Sequence, residues 1–420
     1  MTAPARPHSY SAVLRLHGVR RLLVSTTLGR TANQMTSLVL ILLALRLFHS
    51  AVLAGGVVLV QLVAVPVGPF AGALVDRLGS SVMIAIDFLL ACLVTAAIAA
   101  LYWTHLLPVG VFLLLILLGT MTWPFSGAGV KALLPQLVPP PLWDRANAVD
   151  SVTSVVAIIA GPALAGTIFG LVGPMPALLV IAALYLTSGL LVLGIPGSAR
   201  ARVEPLLGQA WGGIRYFLGN RSLRGLALAM VPSNASIGIL TVAVPVLLLH
   251  SLRAGPQLVG WVWAIVGCFS LGSALVIGRL GTKGRERRLL AFSMAGPVPL
   301  MLAAALFPSV PMTFALAAVL GTCLGPGDVA LFSLRQRAVD PAWYGRAIAV
   351  SMTLNSSGGA LGGGLGGVLA QASPEMAIGV AALVAVAGAC LALVIPQSRP
   401  TGPSSPRRTA DPGLGSVSPA

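Results

Sequence analysis

The stretch Leu134–Gly166 reads LPQLVPPPLWDRANAVDSVTSVVAIIAGPALAG, and the stretch Leu334–Gly367 reads LRQRAVDPAWYGRAIAVSMTLNSSGGALGGGLGG. The second stretch repeats positions of the first, and the matched pairs are Gln136 and Gln336, Trp143 and Trp343, Arg145 and Arg346, and Gly166 and Gly367. The offset of about 200 residues is far longer than the roughly 20 to 50 residues of solenoid and propeller repeats. The sequence therefore predicts two homologous halves.

The same offset relates positions outside this block. These pairs are Asn33 and Asn234, Arg77-Leu78-Gly79 and Arg279-Leu280-Gly281, and Pro124 and Pro326. Because the pairs are spread along the sequence, the duplication is expected to cover most of the chain.

The composition is that of a membrane protein. Only 9% of the residues are charged and 57% are hydrophobic, whereas about a quarter of the residues in a soluble domain are charged. The formal net charge is +16, but the cations lie in short gaps between apolar runs and not on a soluble face with stacking aromatic residues. No nucleic-acid partner is therefore expected.

Twelve apolar runs are each about 20 to 25 residues long, which is enough to cross a bilayer core of about 30 Å. They lie at 22–47, 52–75, 81–103, 107–133, 148–170, 174–196, 224–249, 256–279, 288–307, 311–334, 346–370 and 375–396. We expect an all-α membrane protein with 12 transmembrane helices in two pseudo-symmetric halves. The expected organisation is a tail at 1–21, a six-helix bundle at 22–196, a linker at 197–223, a second six-helix bundle at 224–396 and a disordered tail at 397–420.

The basic residues predict the orientation. The chain has 26 Lys and Arg residues. All except Arg30, Arg46 and Arg253 fall in the tails, in the linker, or at the helix ends that are predicted to lie on one and the same side of the membrane. Since cytoplasmic loops carry the excess of Lys and Arg, we expect a multi-pass protein of the plasma (inner) membrane with both termini in the cytoplasm. The linker has a helix-like apolar spacing, which indicates an amphipathic helix on the inner leaflet with Arg215 and Arg221 toward the headgroups.

Two short motifs resemble signatures of the major facilitator superfamily. The loop between the second and third spans reads Gly72-Ala-Leu-Val-Asp76-Arg77-Leu-Gly79, as in the cytoplasmic loop signature of that family, although Ser80 and Ser81 replace its usual basic pair. In the fifth span, Gly161-Pro162-Ala-Leu-Ala-Gly166 is similar to the antiporter signature of the drug-exporting members. Small residues at such positions let another helix approach closely, and the proline bends the span. A generic packing face is the alternative.

The run LVPPPLWDRANAV also looks like the siderophore- and macrolide-exporter branch of the superfamily. The resemblance covers about residues 20 to 396, and it implies two six-helix bundles around a central cavity that is lined by spans 1, 4, 7 and 10. One feature of many drug exporters is missing, because the apolar part of span four contains no arginine.

Polar residues within spans are costly and are candidates for function. Arg30, Asn33, Gln34 and Ser37 are spaced to share one face of the first span, which is expected to meet water or substrate. Asn234 and Thr241 share a face of span seven in the same way, whereas Asn355 in span eleven is expected to form a packing hydrogen bond.

Three acids lie in or near the spans. For Asp87 in span three we favour a packing or ion-pair role over a proton site, and Asp150 is expected at the wet mouth without a special role. Asp328 follows Gly325-Pro326-Gly327, so its carboxylate lies on a bendable segment. Arg30 and Asp328 are both placed a short distance toward the cytoplasm, and we expect them to meet and to exchange partners as a proton binds. A static ion pair or a solvated aspartate is the alternative.

No set of residues suited to catalysis, nucleotide binding or metal binding is evident, so neither an enzyme nor a cofactor is expected. The leading hypothesis is a monomeric secondary exporter of a small amphipathic compound, such as an antibiotic or siderophore, driven by proton entry and surrounded by membrane lipid. The alternatives are an uptake carrier or facilitator of the same fold, or a transport-dead membrane sensor or scaffold.

Overall fold

A computed structural model describes residues 10–67, 74–75, 77–196, 206–339 and 343–395. Within these ranges all regular structure is helical. After a short helical turn at Tyr10–Arg15, the helices of the first half are α1 (His17–Phe48), α2 (Ala51–Val60, continued by a 3-10 helix Gln61–Val67), α3 (Ser80–Trp103), α4 (Val109–Leu137), α5 (Trp143–Leu171) and α6 (Pro174–Val192).

The second half follows a linker helix, Leu206–Gly219. Its helices are α7 (Arg221–Val246, continued by one π-helical turn to Ser251), α8 (Pro256–Leu280), α9 in two pieces (Glu286–Ala295 and Val298–Leu306), α10 (Val310–Ala338), α11 (Tyr344–Ala372) and α12 (Pro374–Val394). Within the described ranges these helices fall at the apolar runs of the sequence.

Ten of the described helices are long and apolar enough to cross a membrane. The other two are α2, whose regular α-helix has only 10 residues, and α11, which has 29 residues but carries eight glycines. The prediction of an all-α membrane protein is confirmed.

Prolines and serines set many helix starts. Pro174, Pro256 and Pro374 occupy the first positions of α6, α8 and α12, where the missing N–H costs nothing and the fixed φ suits a helix. Ser309 caps α10 by accepting a hydrogen bond from the Met312 N–H at 3.3 Å. These residues therefore begin four helices directly after short connections, which lie on one side of the bundle.

The ninth predicted span is broken in the middle. Gly296 and Pro297 separate its two pieces, because proline lacks the N–H that would continue the helix and clashes with the preceding turn. The two pieces together form one segment, Glu286–Leu306, that is long and apolar enough to cross a membrane, as the apolar run at 288–307 predicted.

The two halves touch through glycines at the end of the bundle where α1 ends and α8 begins. A Cβ atom added to Gly166 of α5 would lie 2.7 Å from Cα of Gly260 in α8, and one added to Gly367 of α11 would lie 2.8 Å from Cα of Gly55 in α2. Such distances leave no room for a side chain. Because Gly166 and Gly367 are equivalent in the repeat, we call these two contacts the paired seals.

Glycines also line the other side of α11. Cβ atoms at Gly362 and Gly366 would lie 2.5 and 2.7 Å from the Cα atoms of Ala235 and Ile239 in α7. Helix α11 therefore presses its backbone against α7 on one side and against α2 on another.

The opposite end of the bundle is the basic end, where α4 and α10 finish. There the linker helix packs on the second half, with the Tyr216 and Trp343 rings stacked at 5.4 Å between centroids and 12° between planes. Phe217 is buried beside Val339 and Ala347. These apolar contacts of the linker helix are with protein, while Arg215 is exposed.

The signature loop is described in part. Gly72 and Asp76 lie outside the described residues, as does the tail after Ile395, and Arg77 is exposed. Gly79 and its counterpart Gly281 both adopt positive φ, at 92° and 74°. An L-residue with a side chain rarely adopts this backbone conformation, which explains glycine at both positions.

Candidate functional site

A cavity of about 630 Å³ lies between the two halves, and we call it the central cavity. Helices α1, α2 and α4 contribute Ser37, Gln61 and Trp123 to its wall, and α7, α10 and α11 contribute residues from the other side. Its size is within the roughly 300–1,000 Å³ that is usual for ligand pockets. The central cavity is therefore large enough to hold a small molecule.

Asp328 of α10 faces the central cavity and is exposed to it. It follows Pro326, which interrupts the hydrogen bonding within α10. Gly327 packs so closely on α9 that an added Cβ would lie 2.6 Å from Cβ of Ser293. The carboxylate is thus accessible, and the helix that carries it is weakened just before it.

Arg335 lies two turns further along α10 and also borders the central cavity. Its residue is only 1% exposed, its guanidinium lies 5.8 Å from the centre of the Phe332 ring, and its positive charge acts on Asp328. The sequence placed Arg335 with the other cations at the helix ends, and it does lie in the last turn of α10. The burial of its side chain was not predicted. The spacing of seven residues from Asp328, which puts both on one helix face, was the available signal.

Asn355 of α11 contacts Arg335. In the amide orientation that satisfies both groups, its oxygen accepts a hydrogen bond from Arg335 Nη2 at 2.6 Å, and its nitrogen donates to the Ser351 carbonyl at 3.2 Å. The residue also lines the central cavity. It packs helices, as expected, and it borders the site as well.

Arg30 does not meet Asp328. Its guanidinium forms a two-pronged ion pair with Asp150 of α5, at 2.8 Å from Nη1 to Oδ1 and 3.2 Å from Nη2 to Oδ2, and Nη1 also donates to Thr153 at 2.6 Å. The side chains are 28% and 22% exposed. The predicted pairing with Asp328 and the minor role assigned to Asp150 are therefore both wrong in this conformation, because Asp150 lies on the helix that packs directly on α1.

The polar face of α1 is divided between two surroundings. Arg30 turns toward α5, whereas Asn33, Gln34 and Ser37 line cavities further along the helix. On α7, Asn234 and Thr241 both line the central cavity, as their spacing predicted.

Asp87 of α3 is 5% exposed. Its carboxylate is hydrogen-bonded to Ser126 and Thr122 of α4, and no ion pair engages it in the part of the chain that the structure describes. Of the roles considered from the sequence, this arrangement favours packing through hydroxyl groups.

The two glycines of the fifth-span motif contact different helices. Gly161 lies against α1, where an added Cβ would be 3.2 Å from the Thr31 carbonyl oxygen, and Gly166 forms the seal with α8. Pro162 is buried between them. Gly161 therefore packs α5 against its own half, and Gly166 packs it against the other half.

Two arginines of the repeat stand near the start of α5 and α11. Arg145 is half-buried in the first turn of α5, and Arg346 lies in the first turn of α11, where only its backbone is described. Both helix starts are at the basic end of the bundle.

Comparison with known proteins gives a consistent picture. The sequence profile of the Major Facilitator Superfamily matches residues 226–417. An uncharacterized MFS-type transporter, y4rN, of Sinorhizobium fredii is 34% identical over 401 residues, covering 93% of this chain and 98% of that protein.

Solved structures with the same fold include the nucleoside transporter NupG, with a TM-score of 0.74, 15% identity and coverage of 90% of this chain and 99% of that one. A bacterial homologue of the human lysosomal transporter Spinster, inward-facing and occupied, gives a TM-score of 0.75 at 13% identity, with coverage of 93% and 97%. A bacterial homologue of the iron transporter ferroportin, also inward-facing, gives 0.70 at 16% identity, with coverage of 90% and 98%. At these identities the likeness concerns the fold alone.

Proposed function

Because this chain belongs to the major facilitator superfamily and is a multi-pass membrane transporter of that fold, we propose that it is a secondary active exporter. Its substrate is a small amphipathic compound, such as an antibiotic, a siderophore or another metabolite, which it exchanges for protons. The observation that carries the proposal is the exposed carboxylate of Asp328 in the cavity between the halves.

Asp328 has the properties that a shared proton and substrate site needs. An ionisable group within a membrane is costly and is retained for function. The positive charge of Arg335 acts on the carboxylate, and a proton or a cationic substrate group competes with it for the same oxygens. Competition of this kind couples the two movements, because binding of one displaces the other.

The paired seals support alternating access. They close the cavity at the end away from the basic residues by close backbone contact, and beside the α2–α11 seal the Ala51 N–H also donates a hydrogen bond to Gln371 Oε1 at 2.7 Å. Their symmetric positions let both open together as the halves rock. Small residues at such a contact let the helix backbones approach closely, so few side chains have to rearrange when the halves part. The other glycine of the fifth-span motif, Gly161 of α5, contacts α1 of the same half, so this contact stays within one bundle during such a movement.

The remaining expectations complete the proposal. The basic end faces the cytoplasm of the inner membrane, with both termini on that side, by the excess of Arg and Lys there. The bundle at 22–196 and the bundle at 224–396 are the two moving bodies, and 197–223 joins them. The protein acts as a monomer among lipids, with protons as the driving ion.

The test uses protein reconstituted in proteoliposomes with an imposed pH gradient and a panel of antibiotics, siderophores and dyes. Asp328→Asn is expected to abolish uphill movement while binding and downhill exchange remain measurable. Asp144→Asn, which removes an exposed acid at the first turn of α5, is the matched control and is expected to pump normally.

Uphill pumping by Asp328→Asn at the normal rate would exclude this carboxylate as the coupling site. Wild-type movement that ignores the pH gradient would indicate a facilitator, and movement only toward the basic end would indicate an uptake carrier.

A further inference from the structure

A second pocket, of about 230 Å³, lies in the first half beside the central cavity. It is bounded by α1, α2, α3, α4 and α6, and none of the described residues in its wall is charged. Ser37, Gln61 and Trp123 border both spaces. We call it the first-half pocket, and a molecule bound in the central cavity can reach into it.

Three amide side chains line this pocket: Asn33, Gln34 and Gln61. None is fully buried, and none has a side-chain hydrogen bond to another residue in the described part of the chain. Each amide offers two donor hydrogens and one acceptor oxygen. The pocket therefore presents several donors and acceptors that a ligand can satisfy.

The hydroxyl groups of the wall are arranged differently. Thr36, Thr95 and Thr120 each donate to a carbonyl one turn earlier in their own helix, at 2.7 Å in all three cases. A hydroxyl has one hydrogen, so the oxygens of Thr95 and Thr120 are left as acceptors, whereas the Thr36 oxygen also lies 3.3 Å from the Tyr185 hydroxyl. The amides supply donors and the hydroxyl oxygens supply acceptors, so the wall as a whole suits a ligand whose polar groups both donate and accept, as hydroxyl groups do.

Trp123 adds an aromatic surface at the junction of the two spaces, with 53% of the residue exposed. Ile98 and Ile116 supply an apolar wall. The pocket is smaller than the roughly 300–1,000 Å³ of a site for a drug-sized molecule, so it holds one ring-sized part of a ligand. A ring with polar groups on its edge and C–H groups on its faces matches this wall.

We propose that the first-half pocket binds a neutral polyhydroxylated ring, such as a glycosyl group, of a substrate whose ammonium group meets Asp328. The inference rests on the proposed function, which it deepens by naming the substrate class: glycosylated amines. The neutral wall selects the ring, and the carboxylate across the central cavity selects the cation. Ser37 and Gln61 lie where the two parts of the substrate join.

The test uses protein in lipid nanodiscs prepared without glycoside detergents, with empty nanodiscs subtracted, and isothermal titration calorimetry. The probes are aminohexyl glucoside and aminohexyl cyclohexyl ether, which share the amine and the ring size but differ in the ring hydroxyls. The glucoside is expected to bind at least about tenfold more tightly, because the ether leaves the polar wall unpaired. A third probe, hexyl glucoside, lacks the ammonium group and is expected to be weaker than aminohexyl glucoside in wild type but not in Asp328→Asn.

Asn33→Leu and Thr120→Val remove polar groups of the pocket at nearly constant volume, and each is expected to reduce the preference for the glucoside. Thr187→Val is the matched control, since Thr187 makes the same hydrogen bond to a carbonyl one turn earlier, at 2.8 Å, but is exposed on the outer surface of α6. It is expected to keep the full preference.

Equal affinity for the two amines, no binding of either, or a preference that survives Asn33→Leu would each overturn the inference. If pH-driven exchange of the cyclohexyl amine depends on Asp328 while the preference is absent, the proposed function stands and this inference falls. If the preference for the glucoside is present but pH-driven exchange is absent, the inference about the pocket stands and the proposed function falls.

Discussion

Asp87 of the first half and Asp328 of the second half are acids within the spans, and their surroundings are opposite. Asp87 is on α3 and is enclosed by Thr122 and Ser126 of α4. Asp328 is on α10 and is open to the central cavity, at the position that corresponds to Ser126 in the repeat. Among the described residues, the central cavity is thus lined by a carboxylate from the second half and by none from the first.

This difference suggests that the two halves have different functions: the second half couples proton and substrate, and the first half recognises the substrate. A transporter that couples two movements needs one site at which proton and substrate compete, and a second charged site would add a desolvation cost without adding coupling. The neutral wall of the first half is then free to recognise the uncharged part of a substrate.

The largest contrast is expected between Asp328→Asn and Asp87→Asn. Loss of the exposed carboxylate should reduce pH-driven flux by at least about 100-fold, with an unchanged melting temperature, because it removes an intramembrane ionisable site. Asp87→Asn keeps a hydrogen-bonding group of the same size and should alter flux less than about threefold. Flux in proteoliposomes and thermal unfolding are the measurements, and equal losses from both variants would contradict the division between the halves.

The paired seals provide the next test. Gly166→Leu and Gly367→Leu should each reduce transport by more than about tenfold, because a side chain cannot fit against the facing backbone. Gly110→Leu is the control, since an added Cβ there meets nothing within 4 Å. Similar losses from the two seal variants support symmetric opening, whereas a loss from only one would show that the seals act separately.

Gly161→Leu distinguishes helix packing within the first half from the contact between the halves at the seals. It is expected to stop transport by displacing α1 from α5 within the first half, and unlike Gly166→Leu it should also lower the melting temperature, by a few degrees for a core overpacking of roughly 1–3 kcal/mol. Thermal unfolding in detergent measures this. Unfolding of Gly161→Leu at the wild-type temperature would count against the assignment.

A smaller effect is expected at the Arg30–Asp150 ion pair, which has no charged counterpart between α7 and α11 in the part of the chain that the structure describes. A double-mutant cycle with Arg30→Ala and Asp150→Asn should give a coupling energy of roughly 1–3 kcal/mol, as for hydrogen bonds to charged groups. The pH dependence of transport should not move with Arg30→Ala, because Arg30 does not contact Asp328. A shift in that pH dependence would revive the pairing that the sequence predicted.

The smallest effect is expected at the linker helix. Trp343→Ala removes an aromatic stack worth about 0.5–1.5 kcal/mol and should increase hydrogen exchange in Leu206–Gly219. Trp143→Ala, at the equivalent position of the first half, should leave exchange there unchanged, because Trp143 is exposed and bonds the Val138 carbonyl instead. Equal exchange in both variants would show that the stack does not hold the helix.

The helical nature of the apolar runs, their order and the close packing at Gly161 and Gly166 could be predicted from the sequence, because hydropathy and small residues act locally along one helix. The partner of Arg30 could not be predicted. The face shared by Arg30 and Ser37 is visible in the sequence. The rotation of α1 about its axis, however, depends on packing against α5, and a slight rotation decides whether Arg30 faces Asp150 or Asp328. Arg335 was missed for a related reason, since its position near a helix end gave no sign that the guanidinium folds back into the protein.

The glycines of α11 also have a consequence for biogenesis. A segment enters the bilayer on its own when its side chains favour hydrocarbon over water, and the eight glycines of Tyr344–Ala372 provide little such gain. Its favourable contacts are with the backbones of α7 and α2, which are made earlier in the chain. During synthesis, α11 is therefore expected to insert only once those helices are in place to receive it, and an isolated α11 segment should insert less efficiently than α10 in a translocon assay.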